Sequence, residues 1–150
     1  MQDDGFDSLG NIAQAALYFT FAFCSFFSSA IVTKVGKIKV TMALGSFAYT
    51  FWIACFILPA YYQQYKKDHD DKEPDIWILN KNLITVLYIL TAVLNGAGAG
   101  VLWTSQGGYL AECACDENKG LFNSFFWAFF MSSQLFGNTI AGLVIYNKTK

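Results

Sequence analysis

The chain has 150 residues, of which 55% are hydrophobic, 18% are aromatic and only 14% are charged. Since water-soluble domains average about 25% charged residues, this composition excludes an ordinary soluble fold and is typical of a protein embedded in a lipid bilayer. The formal net charge of −1 at pH 7 argues against a nucleic-acid partner.

Four long runs without a charged residue divide the sequence. A helix needs roughly 20 apolar residues to cross the hydrocarbon core of a bilayer, and each run is longer than that. We therefore predict an all-α fold, a polytopic helix bundle that forms a single membrane domain over residues 1–150. The predicted transmembrane spans are about 9–33, 40–64, 82–109 and 120–146.

The first run, residues 8–33, has a polar side and an aromatic side. Asn11 and Gln14 recur with Tyr18 at helical spacing on one face. The opposite surface carries four phenylalanines, at positions 19, 23, 26 and 27. Because polar side chains are unfavourable in lipid, we expect Asn11 and Gln14 to line a cavity or contact another helix, and the phenylalanines to face lipid.

Two of the connecting segments contain residues that are able to bind metals. His69 lies among aspartates at positions 68, 70 and 71, but adjacent side chains cannot converge on one ion without a scaffold, so a solvated charged loop is preferred. Cys113 and Cys115 share a later loop, where metal binding, palmitoylation and unmodified thiols are the alternatives. Since no second Cys or His pair accompanies them, unmodified thiols are the default and we predict no metal site.

The third run, residues 82–111, holds a cluster of glycines. Gly96 and Gly100 are four residues apart, with Ala92 one turn earlier, and such a ridge of small residues lets another helix approach closely. A glycine-rich nucleotide-binding turn would need a preceding strand, which this long apolar run does not provide. Asn95 and Gln106 lie on one stripe of the helix, where they line a central cavity or form a polar helix contact.

The fourth run, residues 120–147, carries a polar stripe of its own. Asn123, Gln134 and Asn138 fall within about 60° of each other around a helix that advances roughly 100° per residue. We expect this stripe to line a cavity or contact a helix rather than face lipid. Asn147 then begins the acceptor pattern Asn-x-Thr, which makes it a candidate glycosylation site if this end is lumenal or extracellular.

Three sequence blocks closely resemble one family of membrane proteins. They are LWTSQGGYL at 102–110, NSFF at 123–126 and SSQLFGN at 132–138. Together with the order of the runs, they give the chain its resemblance to the uncoordinated-93-like family, major-facilitator-like proteins of which some are known as ion channel regulatory proteins. The resemblance implies that the chain corresponds to helices two to five of a longer fold, as a fragment or a truncated protein. Thr33 and Lys34 occupy the places of an Asp-Arg pair common in major-facilitator proteins, which puts the usual gating salt bridge in doubt.

The resemblance implies a function exerted through partners. We predict a regulatory or accessory partner of another integral membrane protein, a channel or receptor, with a transporter of an uncharged small solute as the alternative. No apolar run carries Asp, Glu, Lys, Arg or His, and we expect neither catalytic residues nor a cofactor. The other expected partners are the lipid bilayer and the missing helices of a longer chain. We expect the protein in the plasma membrane or an endomembrane, with the turn at Lys34 on the cytoplasmic side.

Overall fold

Helices account for every regular element in the described part of the chain. The structure, a computed structural model, describes Phe6 and residues 8–69, 72–74 and 76–148. Within these residues it has no strand, which confirms the predicted all-α fold. The elements are α1 (Leu9–Val35), α2 (Ile38–Cys55), α3 (Ile57–Asp68), a 3₁₀ helix (Trp77–Leu79), α4 (Lys81–Cys113) and α5 (Lys119–Lys148).

Four helical stretches are long and apolar enough to cross a membrane. They are Leu9–Val35, Ile38–Asp68, Lys81–Cys113 and Lys119–Asn147, and they contain 27, 31, 33 and 29 residues. Each exceeds the roughly 20 residues that span a bilayer core, so each has room to tilt or to extend past the lipid. The chain is therefore an integral membrane protein.

The turn between α1 and α2 is built on Gly36. Its φ of 62° lies in the left-handed region, where a residue without a side chain is favoured, and its N–H donates to the carbonyl of Val32 at 3.0 Å. Lys34 in the last turn of α1 places a positive charge beside the negative end of the helix dipole. The turn is short, so α1 and α2 follow each other directly.

A break at Phe56 divides the second span into α2 and α3. The N–H of Phe56 bonds to the carbonyl of Ile53, three residues back, at 3.1 Å. Pro59 lies in the first turn of α3 and has no N–H to give to the carbonyl of Cys55, which its ring also crowds. The run has no charge to mark this break, so its hydropathy predicts one uninterrupted span over about 40–64.

The long polar segment after α3 returns the chain to the start of α4. Asp70 and Asp71, two of the aspartates beside His69, lie outside the described residues. Asn80 begins α4 as an N-cap: its side-chain oxygen accepts from the N–H groups of Asn82 at 3.0 Å and Leu83 at 3.4 Å. Here Leu79 packs with the buried residues Tyr62 of α3 and Ile84 of α4.

The described chain forms two compact units, Met1–Gly107 and Gly108–Lys150. In the first, α4 is the central helix, because 39% of its most apolar window is buried, against 6% for α1 and 17% for the α2–α3 span. A buried cluster of Leu9, Ala13, Tyr88 and Ala92 joins α1 to α4. The second unit holds the end of α4, a tight turn closed by a hydrogen bond from the N–H of Cys115 to the side chain of Asn118, and α5.

Candidate functional site along the central helix

One face of α4 meets α1 through glycines. A Cβ placed on Gly96 would collide with the carbonyl oxygen of Leu17 and lie 3.0 Å from the backbone nitrogen of Phe21. A Cβ on Gly100, one turn later, would lie 3.3 Å from the backbone nitrogen of Ser25. The small-residue ridge therefore lies directly against the backbone of α1, and it is tightest at Gly96.

A second face of α4 meets α2 through glycines that the sequence analysis did not single out as a pair. A Cβ on Gly98 would lie 2.5 Å from the Cβ of Ala48, and a Cβ on Gly45 would lie 2.8 Å from the Cβ of Leu102. Glycines at 96, 98 and 100 thus alternate between two neighbours, since successive even positions are about 200° apart around a helix. This spacing was the available sequence signal for a helix packed on both sides.

Two hydroxyl pairs join α4 to the same neighbours at one level of the bundle. Ser28 of α1 bonds to Thr104 at 2.6 Å, and Thr41 of α2 bonds to Ser105 at 2.7 Å. Each of the four hydroxyls also lies within hydrogen-bond distance of a carbonyl of its own helix, at 2.8 to 2.9 Å. A hydroxyl has one proton to donate. Each pair therefore has two protons for three contacts: the contact between the two hydroxyls and the contact of each hydroxyl with a carbonyl of its own helix. Sequence reasoning missed these pairs.

Aromatic side chains join α2 to α4 at two levels. Next to the hydroxyl pairs, the indole N–H of Trp103 donates to the hydroxyl of Tyr49 at 3.2 Å. Nearer the N-terminus of α4, the ring of Tyr88 lies 4.9 Å from that of Trp52 and 5.3 Å from that of Phe56. These contacts hold α2 against α4 and enclose the helix face that also carries Asn95.

Two predicted polar residues of α4 have buried atoms without a hydrogen-bond partner. Asn95 is 2% exposed, and its side-chain oxygen Oδ1 receives no hydrogen bond in the described chain. Gln106 is half-buried, and its Nε2 donates none there. Eleven residues separate them, which places both on one stripe, about 16 Å apart along the helix axis. Asn95 therefore offers an acceptor and Gln106 offers a donor, at two separate positions along the helix.

The remaining predicted polar residues are not brought to these two points. Asn11 and Gln14 are exposed on α1. Asn123, Gln134 and Asn138 are exposed on α5, as is Asn147 near its end, while Thr149 of the glycosylation pattern lies outside the described residues. Helical periodicity found the stripes, but it could not tell which of them faces a neighbouring helix.

The chemistry available along α4 is hydrogen bonding to neutral groups. Amides and hydroxyls line its contact faces, and the run from Asn82 to Ala111 has no Asp, Glu, Lys, Arg or His. Among the described residues there is no group of three or more His, Cys, Asp or Glu able to hold a metal ion. What the arrangement can do is hold helices in register and offer single amide groups to an uncharged partner.

Comparison with known proteins gives one family. The profile of the Major Facilitator Superfamily matches residues 6–148. The chain is similar to UNC93-like protein 3 of Arabidopsis thaliana, with 29% identity over 142 residues that cover 88% of this chain and 25% of that protein. It is also similar to an UNC93-like protein of Schizosaccharomyces pombe, 27% identical over 88% of this chain and 22% of the relative.

A vertebrate relative gives the same result. UNC93-like protein MFSD11 of Xenopus tropicalis is 28% identical over 92% of this chain and 25% of its own length. The chain therefore spans about a quarter of the length of the curated relatives it matches. No solved structure matches it.

Proposed function

The chain belongs to the Major Facilitator Superfamily and is UNC93-like, and from this premise we propose that it acts as a regulatory or accessory partner of another integral membrane protein, such as an ion channel. The observation that carries the proposal is the polar stripe of α5. Asn123, Gln134 and Asn138 are exposed on a helix whose other surface is apolar, with Phe129 and Phe136 exposed to 75% and 67%. Amides aligned on one side of a membrane helix are suited to hydrogen bonds with another helix.

The absence of charge in the spans supports the same function. Proton-coupled transporters commonly place Asp, Glu or His inside the membrane, where these residues relay protons. All four charge-free runs of this sequence lack them. Four spans without these side chains are better suited to binding a partner than to relaying protons.

Affinity purification in mild detergent tests this function. The tagged chain should retain an integral membrane partner, and the triple variant Asn123→Leu, Gln134→Leu and Asn138→Leu should retain about twentyfold less, because each polar contact between membrane helices contributes roughly 0.6 kcal/mol. The matched control changes the opposite face of α5 by Phe129→Leu, Phe136→Leu and Leu143→Ile. Recovery without a membrane partner, or equal capture by both triple variants, would contradict the proposal.

A second candidate function is the passage of an uncharged small solute, favoured by Oδ1 of Asn95 and Nε2 of Gln106, which have no hydrogen-bond partner among the described residues. An amide can bind a neutral solute through hydrogen bonds without a buried charge. In vesicles, Asn95→Leu together with Gln106→Leu should then abolish uptake while the amount of protein stays unchanged. Unchanged uptake across a broad panel of neutral solutes would remove this candidate.

A further inference from the structure

An apolar groove runs along the outside of the first unit. It has a volume of about 370 Å³ and is formed by the last turns of α1, by α2 and by α4. The bottom of the groove is the contact between α2 and α4 at Gly45 and Gly98. Its walls carry six large apolar side chains, each between 43% and 62% exposed: Ile31, Val35, Leu44, Phe47, Phe51 and Leu94.

The length of the groove matches one leaflet of a bilayer. It follows α2 from Thr41 to Phe51, eleven residues joined by ten steps that rise about 15 Å at 1.5 Å each. That is half of the roughly 30 Å hydrocarbon core, so a groove that starts at the turn between α1 and α2 ends near the middle of the membrane. Its shape and its chemistry are those of a site for one extended hydrocarbon chain.

The end of the groove at this turn is positively charged. Lys34 and Lys37 are exposed beside it, and the carbonyl of Lys37, the N-cap of α2, accepts a hydrogen bond from the N–H of the groove residue Thr41 at 3.1 Å. Lys39 is also exposed but lies two residues before Thr41, about 200° away around α2. The sequence contains no acidic residue between Asp7 and Asp68, and none of the three lysines forms an ion pair within the described residues. The first turn of α2 has no acidic residue and no side-chain cap, which leaves its positive dipole end available to an anion.

We propose that this groove binds an anionic phospholipid, with one acyl chain along α2 and the phosphate of the headgroup at Lys34 and Lys37. The hydrocarbon wall and the uncompensated lysines meet at the membrane surface, where the phosphate of a phospholipid lies. A basic pocket between membrane helices is a recurrent site for anionic headgroups. The site is separate from the polar stripe of α5 and goes beyond the proposed accessory function.

The headgroup is tested by lipid retention. The chain is reconstituted in vesicles containing equal amounts of phosphatidylglycerol and phosphatidylcholine with identical acyl chains, purified in mild detergent, and its retained lipid is measured by mass spectrometry. Phosphatidylglycerol should be enriched, and Lys34→Gln and Lys37→Gln should each lower that enrichment about fivefold. The control variants Lys67→Gln and Lys72→Gln should leave it unchanged. Equal retention of both lipids by the unmodified chain would overturn the proposal.

The groove itself is tested by filling it. Leu44→Trp places a large side chain in the groove, and Ile53→Trp places the same side chain on α2 away from it, at a residue that is 64% exposed. Phosphatidylglycerol retention should fall with Leu44→Trp only. Equal retention by both variants would overturn the assignment. The assignment would also be overturned if the chain formed a dimer that Leu44→Trp dissociated, because a second copy would then occupy the groove. Loss of lipid retention in a longer form of the chain, whose added helices cover the groove, would overturn it as well.

Discussion

Gly45 of α2 and Gly98 of α4 lie so close together that neither position has room for a side chain. A Cβ on Gly45 would lie 2.8 Å from the carbonyl oxygen of Gly98, and a Cβ on Gly98 would lie 3.2 Å from the carbonyl oxygen of Gly45. Both oxygens belong to helical backbone, which cannot turn aside as a flexible side chain can. The contact between α2 and α4 therefore depends on glycine at both positions.

Gly98→Ala is expected to destabilise the first unit by about 1–3 kcal/mol, the usual effect of overpacking a close contact. The measurement is the free energy of unfolding in mixed micelles of mild detergent and dodecyl sulfate. Gly107→Ala is the matched control, because a Cβ at Gly107 meets nothing within 4 Å. Alanine favours helix over glycine by up to about 1 kcal/mol, so the control should be neutral or stabilising. Similar unfolding free energies for the two variants would contradict the contact.

Gly100→Leu is expected to separate α1 from α4. A Cβ at Gly100 would lie only 3.3 Å from the backbone nitrogen of Ser25, so the remaining atoms of a leucine side chain would have no space between the two helices. The measurement is the yield of monodisperse protein after heating in detergent, with Gly107→Leu as the control. A Gly100→Leu variant as stable as the unmodified chain would place the glycine ridge against lipid instead.

Ser28 and Thr104 should show measurable coupling in a double-mutant cycle. With Ser28→Ala and Thr104→Val, the coupling energy is expected to be about 0.6 kcal/mol, the average for hydrogen bonds between membrane helices. A second cycle combines Thr104→Val with Ser46→Ala, because the Ser46 hydroxyl is exposed and, among the described residues, its partner is the carbonyl of Met42 in its own helix. Coupling in the second cycle as large as in the first would show that the effect does not come from the Ser28 contact.

Asn95→Leu should raise the stability of the first unit by about 1 kcal/mol, because it removes a buried acceptor to which no described residue donates. Asn123→Leu is the control, since Asn123 is exposed and its replacement should not change the unfolding free energy. Hydrogen exchange and chemical unfolding in detergent are the measurements. Destabilisation by Asn95→Leu would show that its oxygen is hydrogen-bonded in the membrane.

Glycosylation at Asn147 reports the orientation of the chain. If the turn at Lys34 is cytoplasmic, four crossings place Asn147 on the lumenal or extracellular side, where the acceptor is modified. Because Asn147 is still part of α5, we expect low occupancy in this chain and higher occupancy in a longer one. The measurement is a glycosidase-sensitive mass shift that Asn147→Gln removes. Modification of an acceptor engineered between Cys115 and Lys119 would reverse the orientation.

The sequence was sufficient to predict the helices but not their neighbours. Charge-free runs locate membrane spans, because a charged side chain in lipid is strongly unfavourable. The break at Phe56 left no such mark, since Pro59 acts through a missing N–H group rather than through polarity. Periodicity placed Asn11 and Asn95 each on a polar stripe, yet only Asn95 is buried. A stripe defines a face, whereas burial depends on which helix packs against that face.

Predicting the contacts between helices requires their axial register, that is, which residues of two neighbouring helices lie at the same height. Hydropathy carries no information about this register. The Gly45 contact with Gly98 and the hydroxyl pair of Thr41 and Ser105 both depend on α2 and α4 meeting at one particular offset. In lipid, many offsets bury similar apolar area, because a leucine is as well accommodated by acyl chains as by a helix. The offset is decided by small residues and single hydroxyls, and these are too few to stand out in a sequence.

The adjacent positions of Thr104 and Ser105 have a consequence for motion. One bonds to α1 and the next to α2, in directions about 100° apart around α4. Sliding α4 by one residue relative to either neighbour, or rotating it in place, breaks at least one of these bonds and moves the other out of line. If the whole protein exposes its two sides alternately, α1, α2 and this part of α4 would rock together as a single rigid block, and the bending would occur elsewhere in the fold.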